Sequence, residues 1–154
     1  MDIPAKLLRI IDANLNRTGE GLRFLEEIAR LGLDDADLTR KLKNLRHELL
    51  TGGGFSDRDL VAARDAGSDV GAEIEEETAR ELSGAVVANA RRVQQSLRVL
   101  EELSKLPELS GWDATKFKRA RFALYTIEKE ILSGLTSPHH GHPAKKSLKI
   151  KSTG

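Results

Sequence analysis

The sequence predicts an all-α protein: a four-helix bundle built from two duplicated helix hairpins, joined by a connecting loop and short helix. Three observations support this prediction. Only four of the 154 residues are proline, and the segments between them are rich in residues that favour helix over strand. Apolar residues recur at spacings of three, four and seven, which collects them on one face of a helix. The chain also matches itself after a shift of 75 residues, which indicates a repeated structural unit.

The first hairpin is predicted at about residues 9–50. Its first helix extends from Ile3 to Leu31, and Gly32 provides a stop signal. A second helix follows with Asp37 or Thr39 as its N-cap, and the three glycines at 52–54 end it. The apolar residues expected on the inner face are Leu8, Ile11, Leu15, Leu22, Leu25 and Ile28 in the first helix and Leu38, Leu42, Leu45 and Leu49 in the second.

The second hairpin is predicted at about residues 78–133, after a connecting segment over residues 51–74 that contains a brief helix and an ordered loop. We expect the acidic residues 73–77 to lead into the first turn of the third helix, where negative charge is favourable. This helix ends near Leu106, before Pro107. The fourth helix runs from about Trp112 to Leu132, with an inner face of Phe117, Ala120, Leu124, Ile127 and Ile131.

The internal match is clearest between residues 13–31 and 88–106, where nine of 19 aligned residues are identical. The register continues without a gap into the second helix of each hairpin. Two hairpins that each expose one apolar face bury it most simply against each other, about an approximate two-fold axis. Residues 1–134 therefore form the predicted domain, and residues 135–154 a flexible basic tail.

Composition excludes several classes of function. The chain has no cysteine, which removes disulfides, thiolate catalysis and iron–sulfur chemistry. It has no run of 18 apolar residues and no secretory signal pattern, so we expect a soluble, cytoplasmic protein without a membrane span. The net charge of +1 combines a mildly acidic body with four lysines in the tail. Because these lysines lack interleaved aromatic residues, a solvated tail is expected rather than a nucleic-acid partner.

Two polar pairs are predicted to face inward on the bundle. Asn14 and Arg17 lie within or at the edge of the apolar arc of the first helix, and Asn89 and Arg92 take the equivalent places in the second repeat. Inward Asn and Arg need hydrogen-bond partners or a ligand. One interpretation is a buried polar network that locks the hairpins. The other is a cationic cavity on the symmetry axis, suited to a phosphate and a flat heterocycle.

Other repeated charged residues favour a structural interpretation. Ordinary surface pairs are expected on the opposite, solvent-facing side of the first helix of each repeat, from Arg23, Glu26 and Glu27 and their copies Arg98, Glu101 and Glu102. Arg46 and its copy Arg121 are expected either to meet acids such as Glu20 or to bind phosphate.

The connecting loop around Arg64 carries residue types suited to phosphate and metal. Arg64 offers a guanidinium group, Asp65 and Asp69 offer carboxylates, and Gly67 and Gly71 can adopt positive φ. Such a set can bind phosphate and Mg²⁺, which usually takes one or two carboxylates together with substrate phosphates. An Asx-type turn that closes the connection is the alternative.

The combined motifs resemble a short helical domain of bacterial thiamine biosynthesis. They are RIIDANLNR at 9–17, EGLR at 20–23, LEE at 25–27, LRHEL at 45–49, ARD at 63–65 with DVG at 69–71, and residues 89–102. The resemblance covers nearly all of residues 9–130. It is to the single-function hydroxymethylpyrimidine-phosphate kinase family, found alone or fused to thiamine-phosphate synthase and unrelated in fold to the ribokinase-like enzyme usually assigned that step.

This resemblance implies transfer of the ATP γ-phosphoryl group to 4-amino-5-hydroxymethyl-2-methylpyrimidine phosphate, giving the diphosphate that thiamine-phosphate synthase consumes. The reaction needs positive charge on the phosphates, a metal and alignment. It needs no strong general base, because the acceptor is already an anion. We expect Mg²⁺ as cofactor and ATP as co-substrate. The expected roles are phosphate binding by Arg17, Arg92 and Arg64, Mg²⁺ binding by Asp65 and Asp69, and substrate binding by Asn14, Asn89, Arg46 and Gly71.

The two repeats differ at one notable position, where Val87 replaces Asp12. The difference leaves the two halves inequivalent, as a site with one donor and one acceptor requires. Two rival interpretations stand beside the kinase. In the first, the domain is a non-catalytic module that holds the pyrimidine phosphate or docks on thiamine-phosphate synthase. In the second, it is a structural helical protein whose repeats form a homo-oligomer interface.

Overall fold

The computed structural model describes residues 3–51, 57–69 and 81–136. These ranges contain helices and no strands, so the all-α prediction is confirmed. A π-helical turn, Ile28–Gly32, follows the first helix, and 3₁₀ turns occupy Ala66–Ser68 and Pro107–Leu109. The α-helices are α1 (Ala5–Glu27), α2 (Ala36–Leu50), α3 (Asp57–Ala63), α4 (Leu82–Leu103) and α5 (Ala114–Thr136).

The start of α2 differs from the prediction. Its N-cap is Asp35, whose Oδ1 accepts a hydrogen bond of 2.9 Å from the Leu38 amide, so the predicted caps Asp37 and Thr39 are wrong. Asp35 has the extended backbone that a cap requires, and its carboxylate reaches the third helical amide. Asp34 before it takes a φ of 50° at the turn between the π-helical segment and α2.

The second half follows the predicted order with shifted ends. α4 begins at Leu82, and the acidic residues 73–77 predicted to lead into its first turn lie outside the described residues. α5 continues to Thr136, two residues past the predicted end of the domain. The predicted tail is therefore shorter at its start, and residues 137–154 lie outside the described ranges.

The four long helices form an approximate four-helix bundle with α1 and α4 at its centre. α1 packs most extensively against α4, α2 packs on α1, and α5 packs on α4. The predicted inner face of α5 is buried, and so are Leu38, Leu42 and Leu49 of α2. Each fully buried Leu or Ile side chain contributes about 1.5–3 kcal/mol to folding, so this shared core holds the two hairpins together.

α1 and α4 run antiparallel and touch closely at two equivalent points. The Thr18 and Ser96 hydroxyl oxygens are 2.7 Å apart. In the other repeat the equivalent of Thr18 is Val93 and the equivalent of Ser96 is Gly21, and these two residues are also in contact. A Cβ atom at Gly21 would lie 2.3 Å from Cγ2 of Val93, so only glycine permits this approach. A two-fold relation between the hairpins requires such paired contacts, with its axis between them.

None of the helices within the described ranges is both long enough and apolar enough to cross a membrane.

We expect Gly21→Ala to lower the free energy of unfolding by about 1–3 kcal/mol, because α1 and α4 must separate to admit the methyl group. Gly19→Ala is the matched control two residues away. Its Cβ would meet only the exposed end of Leu50, at 3.0 Å, and alanine favours helix over glycine by about 0.5–1 kcal/mol. Urea unfolding monitored by circular dichroism measures both. Equal stability of the two variants would contradict the proposed role of this contact.

Candidate functional site

A cavity of about 480 Å³ opens beside the crossing of α1 and α4. Ligand sites for small molecules commonly measure about 300–1,000 Å³, so the volume suits one. Four positions of α1 and the four equivalent positions of α4 line it, so both repeats contribute the same part of their first helix to the cavity. The lining residues are Asn14, Arg17, Glu20 and Gly21 from α1 and Asn89, Arg92, Gln95, Ser96 and Val99 from α4.

The two asparagines of the cavity are held in the same way. Asn14 is buried and Asn89 is half-buried. The Asn14 Nδ2 donates to the carbonyl of Ile10 and the Asn89 Nδ2 to that of Ala85, each at 2.8 Å. An amide has two N–H donors and one acceptor oxygen, so each side chain retains one N–H and its Oδ1 for a ligand. The bond to the preceding turn therefore uses only part of the hydrogen-bonding capacity of each asparagine.

The two arginines of the cavity are less buried than the sequence predicts. Arg17 and Arg92 line the cavity but their side chains are exposed. Arg17 lies one turn from Asn14 at the edge of the buried face, and its long side chain keeps the guanidinium in water. With the other described residues Arg17 forms no hydrogen bond or ion pair. The guanidinium group of Arg17 therefore suits the cavity to an anion.

Two acids predicted on the solvent face are buried instead. Glu26 is 7% exposed and Glu101 is 4% exposed. Arg46 donates to Glu26 at 3.1 Å, and Arg121 donates to Glu101 at 3.1 Å. Glu26 lies one turn beyond Leu22, so it follows the buried face towards α2. Arg46 thus meets Glu26 rather than Glu20, and a phosphate role for Arg46 stays a prediction for a guanidinium already engaged in an ion pair.

Two further observations concern the charged residues near these ion pairs. Arg23 pairs with Glu27 at 3.3 Å and both side chains are substantially exposed, as predicted for an ordinary surface pair. Arg121 has a raised pKa, because its contact with Tyr125 and then that with Glu101 favour the charged guanidinium.

The connecting segment is tied to α1 by an ion pair with two hydrogen bonds. Arg64 Nε donates to Asp12 Oδ2 at 2.7 Å, and Arg64 Nη2 donates to Asp12 Oδ1 at 3.0 Å. Asp12 is only 6% exposed, and its hydrogen bond and charge raise the pKa of Arg64. Arg9 also donates to the backbone carbonyl of Asp65 at 3.3 Å. The connecting segment pairs with Asp12 in the first repeat. This contact explains why the two repeats differ here, with Val87 at the equivalent position of the second repeat.

The Arg64 loop and the cavity lie on different faces of α1. Asp12 and Asn14 are two residues apart, which places their side chains about 200° apart around the helix. Asp65 accepts a 3.1 Å hydrogen bond from the Ser68 amide at its Oδ1, forming the Asx-type turn that was the alternative for this loop. Asp69 is exposed, and Gly71 lies outside the described residues. The residues predicted to form one site thus fall into two groups.

No three His, Asp or Glu side chains come together as a metal site within the described ranges. The carboxylate that lines the cavity is that of Glu20, and Asp65 and Asp69 are not among the lining residues. One carboxylate fits a Mg²⁺ ion carried largely by substrate phosphates and water. The roles of Arg64, Asp65 and Asp69 towards phosphate and Mg²⁺ stay predictions.

Sequence reasoning missed five of the lining residues as site residues: Glu20, Gly21, Gln95, Ser96 and Val99. A signal for two of them was present. Positions 14, 17 and 20 follow one another at helical spacing on one side of α1, and Gln95 is the equivalent of Glu20 in the second repeat. Ser96 had no such signal, because its equivalent is Gly21.

Comparison with known proteins gives one family and a set of relatives. The sequence model of the ThiD2 family matches residues 9–130. Proteins named thiamine-phosphate synthase are 41% identical over 127 residues in Nostoc punctiforme, 46% over 129 in Rhodopirellula baltica and 37% over 132 in Synechocystis sp.. These matches cover 80%, 81% and 84% of this chain but 35%, 34% and 37% of the relatives. The chain thus spans about a third of their length. No solved structure matches it.

We expect Arg64→Ala to lower the melting temperature, because it leaves the buried Asp12 carboxylate without its guanidinium partner. Adding Asp12→Val, the residue that the second repeat carries at this place, removes that charge. The double variant should therefore be more stable than Arg64→Ala alone. Thermal unfolding followed by circular dichroism makes the comparison. A double variant that melts below Arg64→Ala would show that the ion pair is not what ties the loop to α1.

We expect Arg17→Ala to weaken binding of inorganic diphosphate about tenfold or more, because a charge-assisted hydrogen bond to phosphate is lost. The melting temperature should change little, since Arg17 is exposed. Arg23→Ala removes the same charge from the same helix outside the cavity and serves as the control. Isothermal titration measures affinity and calorimetric unfolding measures stability. A large loss of stability with unchanged affinity would favour the structural interpretation.

Proposed function

The chain belongs to the ThiD2 family, and from this premise we propose that it is a hydroxymethylpyrimidine-phosphate kinase of thiamine biosynthesis. The reaction transfers the γ-phosphoryl group of ATP to the phosphate of 4-amino-5-hydroxymethyl-2-methylpyrimidine phosphate. The observation that carries the proposal is the cavity that two asparagines and two arginines line from equivalent places in the two repeats. The name of the relatives, thiamine-phosphate synthase, supports the pathway, because that enzyme is expected to consume the diphosphate.

The two arginines suit a reaction between two anions. A phosphate oxygen of the pyrimidine monophosphate attacks the γ-phosphorus of ATP, and the bond from that phosphorus to the leaving ADP oxygen breaks. Arg17 comes from α1 and Arg92 from α4, so each repeat offers one guanidinium fork to a phosphate group. Positive charge on both sides offsets the repulsion between the reactants and stabilises the negative charge on the transferred group.

The asparagines suit the uncharged part of the acceptor. Asn14 and Asn89 each present an acceptor oxygen and a donor N–H whose orientation is fixed by the bond to the preceding turn. A pyrimidine ring with an amino group carries both donors and acceptors in one plane, so it can be bonded at either side. Fixed groups lower the entropy lost on binding and hold the phosphate near its target.

Mg²⁺ bound with the ATP phosphates supplies further positive charge to the transfer. Among the described residues that line the cavity there is no histidine, and a strong base is not required, because the acceptor phosphate is already deprotonated.

The alternative is a non-catalytic module that holds the pyrimidine phosphate or docks on thiamine-phosphate synthase. The observation that favours it is the length of the relatives: the matched region is about a third of a longer chain with that name. Such a module uses the same cavity to bind the pyrimidine phosphate and leaves ATP unchanged.

The product formed from ATP, Mg²⁺ and the pyrimidine monophosphate tests the proposal. We expect pyrimidine diphosphate and ADP in equal amounts, detected by phosphorus NMR, and no product when Mg²⁺ is chelated. Arg17→Ala should lose about tenfold or more of the rate, which also excludes a contaminating kinase, and Arg23→Ala should keep it. Tight binding of the pyrimidine phosphate with no turnover would refute the kinase and support the binding module.

A further inference from the structure

The cavity is lined by equivalent positions of the two repeats, but their charges are unequal. Glu20 on α1 and Gln95 on α4 take equivalent places 75 residues apart, and both line it. Their side chains have nearly the same size, and they differ by a carboxylate oxygen against an amide nitrogen. The pairs Asn14 with Asn89 and Arg17 with Arg92 are identical in type. Glu20 is therefore the charged feature that distinguishes one side of the cavity from the other.

Glu20 is available to a ligand. With the other described residues it forms neither a hydrogen bond nor an ion pair, although two arginines line the same cavity. Arg46, the arginine that the sequence suggests as its partner, is held by Glu26. An ionised carboxylate only accepts hydrogen bonds, whereas the Gln95 amide both donates and accepts. Among the described lining residues, the α1 side of the cavity thus offers a carboxylate to a hydrogen-bond donor, and the α4 side offers an amide at the equivalent place.

We propose that Glu20 is the specificity-determining residue for the acceptor, accepting hydrogen bonds from the exocyclic amino group of its heterocycle. This inference rests on the proposed function. It places the pyrimidine phosphate on the α1 side, with its amino group at Glu20 and its phosphate at Arg17. The phosphates of ATP then lie on the α4 side at Arg92.

The spacing of the two α1 residues matches a small acceptor. Glu20 and Arg17 are three residues apart, so their attachment points are separated by about 4.5 Å along the helix and lie on neighbouring sides of it. In the pyrimidine monophosphate one methylene separates the ring from the phosphate, so the amino and phosphate groups lie close together. In ATP a ribose and three phosphates separate the adenine amino group from the γ-phosphate, and the two ends do not fit this spacing.

Charge also works against the wrong orientation. A hydrogen bond to a carboxylate is roughly twice as strong as one to a neutral amide oxygen, which favours the amino group at Glu20. The same carboxylate repels the phosphates of a nucleotide, which carry negative charge. One residue thus attracts the acceptor to its side and disfavours ATP there, and specificity commonly combines both effects.

The test measures binding of the pyrimidine monophosphate to the Glu20→Gln variant by isothermal titration without ATP and with EDTA. We expect an affinity loss of about tenfold or more. The 4-deamino analogue, in which a hydrogen atom replaces the amino group, should bind the variant and the wild type within about twofold. Glu27→Gln removes a negative charge from the same helix outside the cavity and should bind both ligands like the wild type.

Four results would overturn the inference. They are unchanged affinity in Glu20→Gln, an equal loss for both pyrimidines, a loss of ATP affinity alone, and a loss that occurs only when Mg²⁺ is present, which would identify Glu20 as a metal ligand. Failure of the proposed function is distinct. A wild-type protein that binds no pyrimidine monophosphate refutes both proposals, whereas one that binds and phosphorylates it while Glu20→Gln is unaffected refutes this inference alone.

Discussion

The close contact between α1 and α4 is the constraint on which the rest of the structure depends. The Thr18 and Ser96 hydroxyls share a hydrogen bond of 2.7 Å in which either can donate, and the Ser96 hydroxyl also lies 2.9 Å from the carbonyl oxygen of Val93. At the equivalent point Gly21 has no side chain and Val93 fills the space. One crossing therefore uses a polar contact on one side and an apolar contact on the other.

The cavity follows from this crossing. On each helix, residues one and two helical turns from the contact face the same cavity. A polar residue that occurs in both sequence repeats therefore lines the cavity twice, once from each helix. Asn14 and Asn89 show this most clearly, since each bonds to the carbonyl four residues before it at the same distance. The departures from equivalence separate two tasks. Asp12 secures the connecting segment through Arg64, and Glu20 gives the cavity its unequal charge.

The ion pairs Glu26 with Arg46 and Glu101 with Arg121 show where sequence reasoning reached its limit. Helical spacing placed both acids near the solvent side, but a helix at the centre of a bundle is contacted on several sides, and α2 and α5 cover them. The same cause explains Asp12, which faces the connecting segment. An apolar arc derived from one helix shows the main contact of that helix and not its further neighbours.

The sequence by itself determined the helices, their order, the two equivalent hairpins and the asparagines and arginines of the cavity. These depend on spacing along the chain, which periodicity and self-comparison report directly. Only the tertiary structure decided that Arg64 binds Asp12 and that the loop carboxylates lie off the cavity. Those pairings join residues distant in sequence or depend on which side of α1 each neighbour covers, and one repeat's local pattern carries no record of either.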